Sequence, residues 1–171
     1  MLYALRSANA QRQQAKKQLV MCGHIRTFVT VRKRVLKFPE AELQAHLDRY
    51  RAAFEQAKKG ELTEPNWIKL CTVLNLARAI EKLGVITGFD EHHKEVEAVL
   101  QAISDRAENY GTRQWQPPTI DEAESLTLSN MILNYTFQLR QISVGEYKTA
   151  FIRATNYVRS NGGTVVPLRA A

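Results

Sequence analysis

Two stretches of the chain set side chains of metal-binding or nucleophilic type close together. The first is Asp90-Glu91-His92-His93. Imidazole and carboxylate groups are ligands that zinc-like ions take, and a helix presents two of them to one ion at i, i+3 or i, i+4 spacing. Asp90 with His93, and His93 with Glu97, have that spacing. The adjacent His92 and His93 point in different directions on a helix, and nothing nearby in sequence supplies a third or fourth ligand. The run therefore reads as the polar start of a helix, and no metal is assigned to it. The second stretch is Cys22 with His24. A nucleophilic thiolate needs a base, an orienting third group and a defined pocket. The neighbours here are basic, which lowers a thiol pKa and favours oxidation, so the thiol reads as incidental.

The remaining candidates are weaker. Cys71 falls on an apolar stripe and reads as a small hydrophobe. It stands far from Cys22 with no CxxC spacing, which argues against a disulfide scaffold or zinc cluster and for a reducing, cytoplasmic setting. Neither a GxxxxGK[ST] nor a GxGxxG run is present. Glu122 and Glu146 could pass for a carboxylate pair, but both are placed as capping-box partners. With no titratable group set beside a nucleophile or metal, the expectation is a non-enzymatic protein without a cofactor.

Charge is the stronger signal. Residues 1–37 hold nine cations, namely Arg6, Arg12, Lys16, Lys17, Arg26, Arg32, Lys33, Arg34 and Lys37, and no acid. The rest of the chain holds 15 basic and 17 acidic residues, so the net charge of +7 comes from one end. Such asymmetry points to a polyanion, either nucleic acid or an acidic protein surface. Within this arm, residues 7–20 are helix formers with almost no apolar face. Residues 25–36 are β-branched and basic, suiting an extended segment. Arg26, Arg32, Lys33, Arg34 and Lys37 are the candidate nucleic-acid-binding residues. Phe28 is the one aromatic in this second half, so contact with the phosphate backbone is favoured over base reading.

The body that carries the arm reads as helical from residue 38. Helical spacing sets Leu43, Leu47, Tyr50, Phe54 and Ala57 on one stripe over 40–59. Over 64–83 it does the same for Trp67, Leu70, Cys71, Leu74, Ala77 and Ile80, with Val73 and Leu76 widening the stripe enough to make this helix central. Thr63 is the expected N-cap there, and Asp90 that of a helix running to 109. Its inner face is Val96, Val99, Leu100, Ile103 and Ala107. Residues 110–118 read as the longest loop. Thr119-Ile120-Asp121-Glu122 reads as a capping box opening a helix over 120–141, and Ser143-Val144-Gly145-Glu146 as a second opening one over 144–160. Ile142 and Tyr147 match a hydrophobic staple. The fourth helix bears two stripes, Leu128, Ile132, Tyr135, Leu139 and Ile142 on one side, and Leu126, Leu133 and Phe137 on the other. A helix apolar on two sides sits between neighbours or at a dimer contact. The fifth packs through Tyr147, Ala150, Phe151, Ala154 and Val158.

The expected architecture is all-α: a single-domain bundle of about five helices over 38–161, a basic arm over 1–37 and a C-terminal tail over 162–171. No apolar run of about 18 residues exists, so no membrane span is expected, nor is a signal peptide. The acid-free, arginine-containing start also matches the composition of an organellar transit peptide, and Met21 offers an alternative start.

Gly60-Glu61-Leu62-Thr63, Trp67, Leu74-Asn75-Leu76-Ala77 and Leu83-Gly84, followed by Ala102-Ile103 with Arg106, Gln138-Leu139, and Ser143 with Glu146-Tyr147, resemble a loose group of small uncharacterised helical proteins. These come from phages, plasmids and genomic islands of proteobacteria. The resemblance spans roughly residues 50–160, omits the arm, and rests on core and capping positions. It implies a fold and a mobile-element setting, transfers no functional residue, and argues against the transit peptide. The function expected is an accessory or regulatory protein that contacts nucleic acid through its arm. The alternative is a protein-binding module, such as a phage-encoded inhibitor or adaptor of a host complex.

Overall fold

A computed structural model describes residues 36–108 and 114–160. Five helices account for most of them: α1 (Glu40–Lys58), α2 (Glu64–Glu81), α3 (Asp90–Ala107), α4 (Glu122–Gln141) and α5 (Val144–Ser160). No strand occurs among the described residues, so the all-α expectation holds for them, with helix limits within two residues of those read from the sequence. Among the described residues no helix is long and apolar enough to cross a membrane.

The width of α2's apolar face makes it the hub. Trp67, Leu70, Cys71, Val73, Leu74, Leu76, Ala77, Ala79 and Ile80 are all buried, and α2 packs against each of the other four helices. Fully burying one leucine or isoleucine contributes about 1.5–3 kcal/mol, so this helix supplies much of the hydrophobic stabilisation. Its neighbours present the expected stripes. Leu43, Leu47, Tyr50, Phe54 and Ala57 of α1 are buried, as are Val96, Leu100, Ile103 and Ala107 of α3, while Val99 is half-buried at the edge of the core.

Polar groups drawn into this core fix how the helices meet. The Trp67 indole N–H donates to the Leu100 carbonyl at 3.2 Å, tying α2 to α3. Trp115 donates to the Leu62 carbonyl at 2.7 Å, and Gln116 N to the Ala107 carbonyl at 2.9 Å, which pins the segment leading into α4. Gln138 is fully buried on α4 and donates through its amide to the Ala77 carbonyl of α2 at 3.4 Å.

Two helix starts, those of α4 and α3, differ from the sequence reading. The capping box of α4 is formed by Asp121 and Glu124: Glu124 N donates to Asp121 Oδ1 at 2.8 Å, and Asp121 N to Glu124 Oε2 at 3.1 Å. Thr119 lies before the helix, because the acid able to reach back is Glu124, three residues after Asp121. Thr63 holds the N-cap position of α2 in an extended conformation, but its hydroxyl makes no cap bond. Asp90 is the first helical residue of α3, with Phe89 at the N-cap. The second box is as expected, Glu146 N donating to Ser143 Oγ at 3.2 Å and Ser143 N to Glu146 Oε2 at 2.7 Å.

The two stripes of α4 part company. Leu128, Ile132, Tyr135 and Leu139 are buried, whereas Leu126 and Leu133 are each 62% exposed and Phe137 is 50% exposed. On α5 only Ala150 and Ala154 are fully covered, and Phe151 stays half exposed.

Candidate functional site

Of the five sequence-predicted nucleic-acid contacts, Lys37 alone falls within the described residues; Arg26, Arg32, Lys33 and Arg34 lie outside them. So do Met21, Cys22, His24, the two arm segments up to residue 35 and the tail from 161. Lys37 is exposed, forms an isolated bridge with Ser143, and donates through Nζ to the Arg140 carbonyl at 3.2 Å. Arg140 in turn pairs with Glu40 at 3.0 Å. Lys37 thus lies against the α4–α5 turn, with its cation held at a C-terminal carbonyl of α4, where the helix dipole favours it.

A group of interacting titratable side chains lies where α2 turns into α3. A turn with Gly84 at φ 77° and Gly88 at φ 104°, conformations that side chains with a Cβ rarely adopt, folds α3 back along α2. Glu81 at the end of α2 is thereby laid across the start of α3. Its Oε1 accepts from Gly88 N at 2.7 Å and Phe89 N at 2.8 Å; the second is the N-cap N–H of α3, which a capping-box acid at N3 usually takes. Its Oε2 lies 3.1 Å from Nδ1 of His93, which is only 3% exposed. Neither atom makes a hydrogen bond. Asp90, one helical turn before His93, completes a group whose ligand-type atoms all lie within 4.8 Å of one another.

The sequence offers no third or fourth ligand-type group near this run. The fold brings one such group to it, Glu81, which stands nine residues before Asp90 on a different helix and is carried in by the glycine-punctuated turn. The paired glycines of 84–88 were the one available sign of so tight a return.

A cleft of about 410 Å³ opens beside Glu81 and Asp90, between α2, α3 and α5. Glu81 and Asp90 form part of its wall beside Arg78, Lys82, Lys94 and Arg153. These cations have other engagements. Arg78 binds Glu97 Oε2 at 2.6 Å and the His93 carbonyl at 3.2 Å. Lys94 binds Glu91 at 2.7 Å, Lys82 Nζ sits 5.3 Å from the centre of the Tyr157 ring, and Arg153 donates to the Lys82 carbonyl at 3.3 Å. Burial holds His93 below its ordinary pKa in spite of the Glu81 charge beside it, which favours the neutral imidazole. No protein-family model, curated protein or solved structure matches the chain.

A second polar cluster, built from α1, α4 and α5, is structural in character. His46 Nε2 lies 2.9 Å from the Tyr135 hydroxyl and 3.5 Å from that of Tyr147, while Arg49 lies 2.6 Å from its Nδ1. The rings of Phe38, Tyr50 and Phe151 extend the cluster through edge and tilted contacts. Tyr135 is fully buried and its hydroxyl is pushed well above its ordinary pKa by that burial, so it serves as a neutral hydrogen-bonding group. Cys71 is buried in the core and its thiol is likewise pushed up by burial, consistent with a small hydrophobe.

Proposed function

We propose that this protein is a non-enzymatic accessory or regulatory protein that contacts nucleic acid through its arm, with Arg26, Arg32, Lys33, Arg34 and Lys37 neutralising phosphates. The observation that carries this reading is the segregation of charge: nine cations and no acid over residues 1–37, against 15 basic and 17 acidic residues over the remainder. The described body adds support because its cations are so often paired internally. Arg51 pairs with Asp48, Lys58 with Glu55, Arg78 with Glu97, Lys94 with Glu91, Arg106 with Glu124 and Arg140 with Glu40. The arm contains no acid with which to do the same. A mobile-element setting follows from the resemblance to phage, plasmid and genomic-island proteins. A gel-shift titration of duplex DNA and single-stranded RNA at two salt concentrations tests the reading. Binding that weakens steeply with salt supports it, and no binding at low salt refutes it.

A second reading is favoured by a separate observation, the exposed stripe of Leu126, Leu133 and Phe137 on α4. Three large apolar side chains on one helix face suit a protein partner or a second copy of the chain. A pull-down from nuclease-treated lysate separates the readings: a partner retained without nucleic acid favours protein binding.

A further inference from the structure

We propose that Glu81, Asp90 and His93 bind one divalent transition-metal ion of the zinc class, through an imidazole nitrogen and two carboxylate oxygens, with the cleft side left to water. The inference is independent of the nucleic-acid reading. Three observations carry it.

The first is ligand geometry. An ion with bonds of about 2.0–2.2 Å in tetrahedral arrangement holds its ligand atoms about 3.3 Å apart. Glu81 Oε2 and His93 Nδ1 stand 3.1 Å apart, and the three ligand-type atoms lie within 4.8 Å of one another. Small side-chain rotations close the difference, and Asp90, exposed on the cleft wall, has room to make them.

The second is the state of the two buried atoms. The His93 ring is 97% covered and the Glu81 side chain 11% exposed, yet Oε2 and Nδ1, 3.1 Å apart, make no hydrogen bond with each other or with any other group. Leaving two such atoms unsatisfied is costly, and a shared cation satisfies both. The surrounding cations do not do so, since Arg78 is held by Glu97, Lys94 by Glu91 and Arg153 by a backbone carbonyl.

The third is support behind the ligands. Gly88 N and Phe89 N fix the other oxygen of Glu81, which orients Oε2 toward the site as an outer hydrogen-bond shell does for a metal carboxylate. One imidazole with two carboxylates suits zinc, iron, cobalt or nickel better than calcium or magnesium, which take all-oxygen sets.

The test uses the full chain, stripped with a chelator and titrated with Zn²⁺ alone by calorimetry, and with Co²⁺ alone followed by visible absorption. One equivalent is expected to bind and to raise the melting temperature, because the site exists only in the folded protein. Asp90→Asn changes an exposed residue, and Glu81→Gln keeps an oxygen that can accept the Gly88 and Phe89 N–H groups. Each is expected to weaken Zn²⁺ binding at least about tenfold, no less than the loss of an outer-shell partner does at known sites. Cys22→Ser with His24→Ala is expected to leave binding unchanged. The proposal is overturned if the wild-type chain binds no stoichiometric Zn²⁺, if Asp90→Asn and Glu81→Gln bind as the wild type does, or if the Cys22/His24 variant loses the ion.

Discussion

One guanidinium nitrogen of Arg106 on α3 bridges both carboxylate oxygens of Glu124 on α4, at 2.8 and 2.7 Å. The same carboxylate accepts from Asp121 N, so one side chain both closes the cap of α4 and joins α4 to α3. Glu124 is 12% exposed at its side chain and Arg106 is 43% exposed. Removing Glu124 loses the cap as well as the ion pair, whereas removing Arg106 leaves the carboxylate its bond from Asp121 N. Glu124→Ala is expected to destabilise by about 2–3 kcal/mol, combining a lost cap with lost charge-assisted bonds. Arg106→Ala is expected to cost about 1 kcal/mol, in the range of a partly solvated pair. Urea midpoints of the two variants check the order, and equal losses would contradict the double role.

Acid should loosen the contact between α1 and the α4–α5 pair. Burial, reinforced by the Arg49 charge, lowers the pKa of His46 from 6.5 to about 4. The unfolded chain therefore binds this proton more readily than the folded one. The neutral ring's contribution is complete above pH 6.5 and is lost as pH falls from there through about 4. His93 is shifted in the same direction and adds to the same slope. Chemical denaturation at pH 7, 5.5 and 4.5 should show falling stability, and His46→Gln should flatten the trend. An unchanged slope in that variant would place the acid sensitivity elsewhere.

The two faces of α4 should respond oppositely to substitution. Ile132 is 6% exposed, and Ile132→Ala is expected to cost about 2–5 kcal/mol. Leu133, the next residue, is 62% exposed, and Leu133→Ser is expected to change stability by less than about 0.5 kcal/mol. If the exposed stripe meets a partner or a second copy, Leu133→Ser with Phe137→Ser lowers that association without lowering the melting temperature. Light scattering and the pull-down read the first quantity, and calorimetry the second.

Salt dependence counts the phosphate contacts of the arm. Five cations neutralising five phosphates of duplex DNA give a slope of log K against log salt of about −4.5. Replacing Arg32, Lys33 and Arg34 by Ala together should flatten that slope by nearly 3, since each lost contact removes about 0.9. Anisotropy titrations at several salt concentrations measure both slopes. A triple variant with the wild-type slope would remove these residues from the interface.

The helices were legible because burial and spacing coincide on them. Each residue assigned to the first stripe of α4 is buried, and the width of α2's stripe foretold its central place. The failures share a different physics. Asp121 with Glu124, rather than Thr119 with Glu122, caps α4 because capping depends on which side chain reaches which N–H, and acceptable residues stand at both registers. The exposure of Leu126, Leu133 and Phe137 reflects how many neighbours the fold supplies, which periodicity along one helix does not encode. Glu81 was out of reach for a similar reason, since its proximity to His93 is created by the turn between two helices.

Gln138 gives α4 a fixed seat. Its amide is fully buried and reaches the Ala77 carbonyl of α2. Apolar side chains alone tolerate sliding by a helical turn, since one leucine fills the place of another. An amide does not, because a one-turn slip would leave it sealed among hydrocarbon with its donor unmet. A single polar residue thus works as an alignment key, selecting one among several nearly equivalent ways for α4 to lie along the central helix.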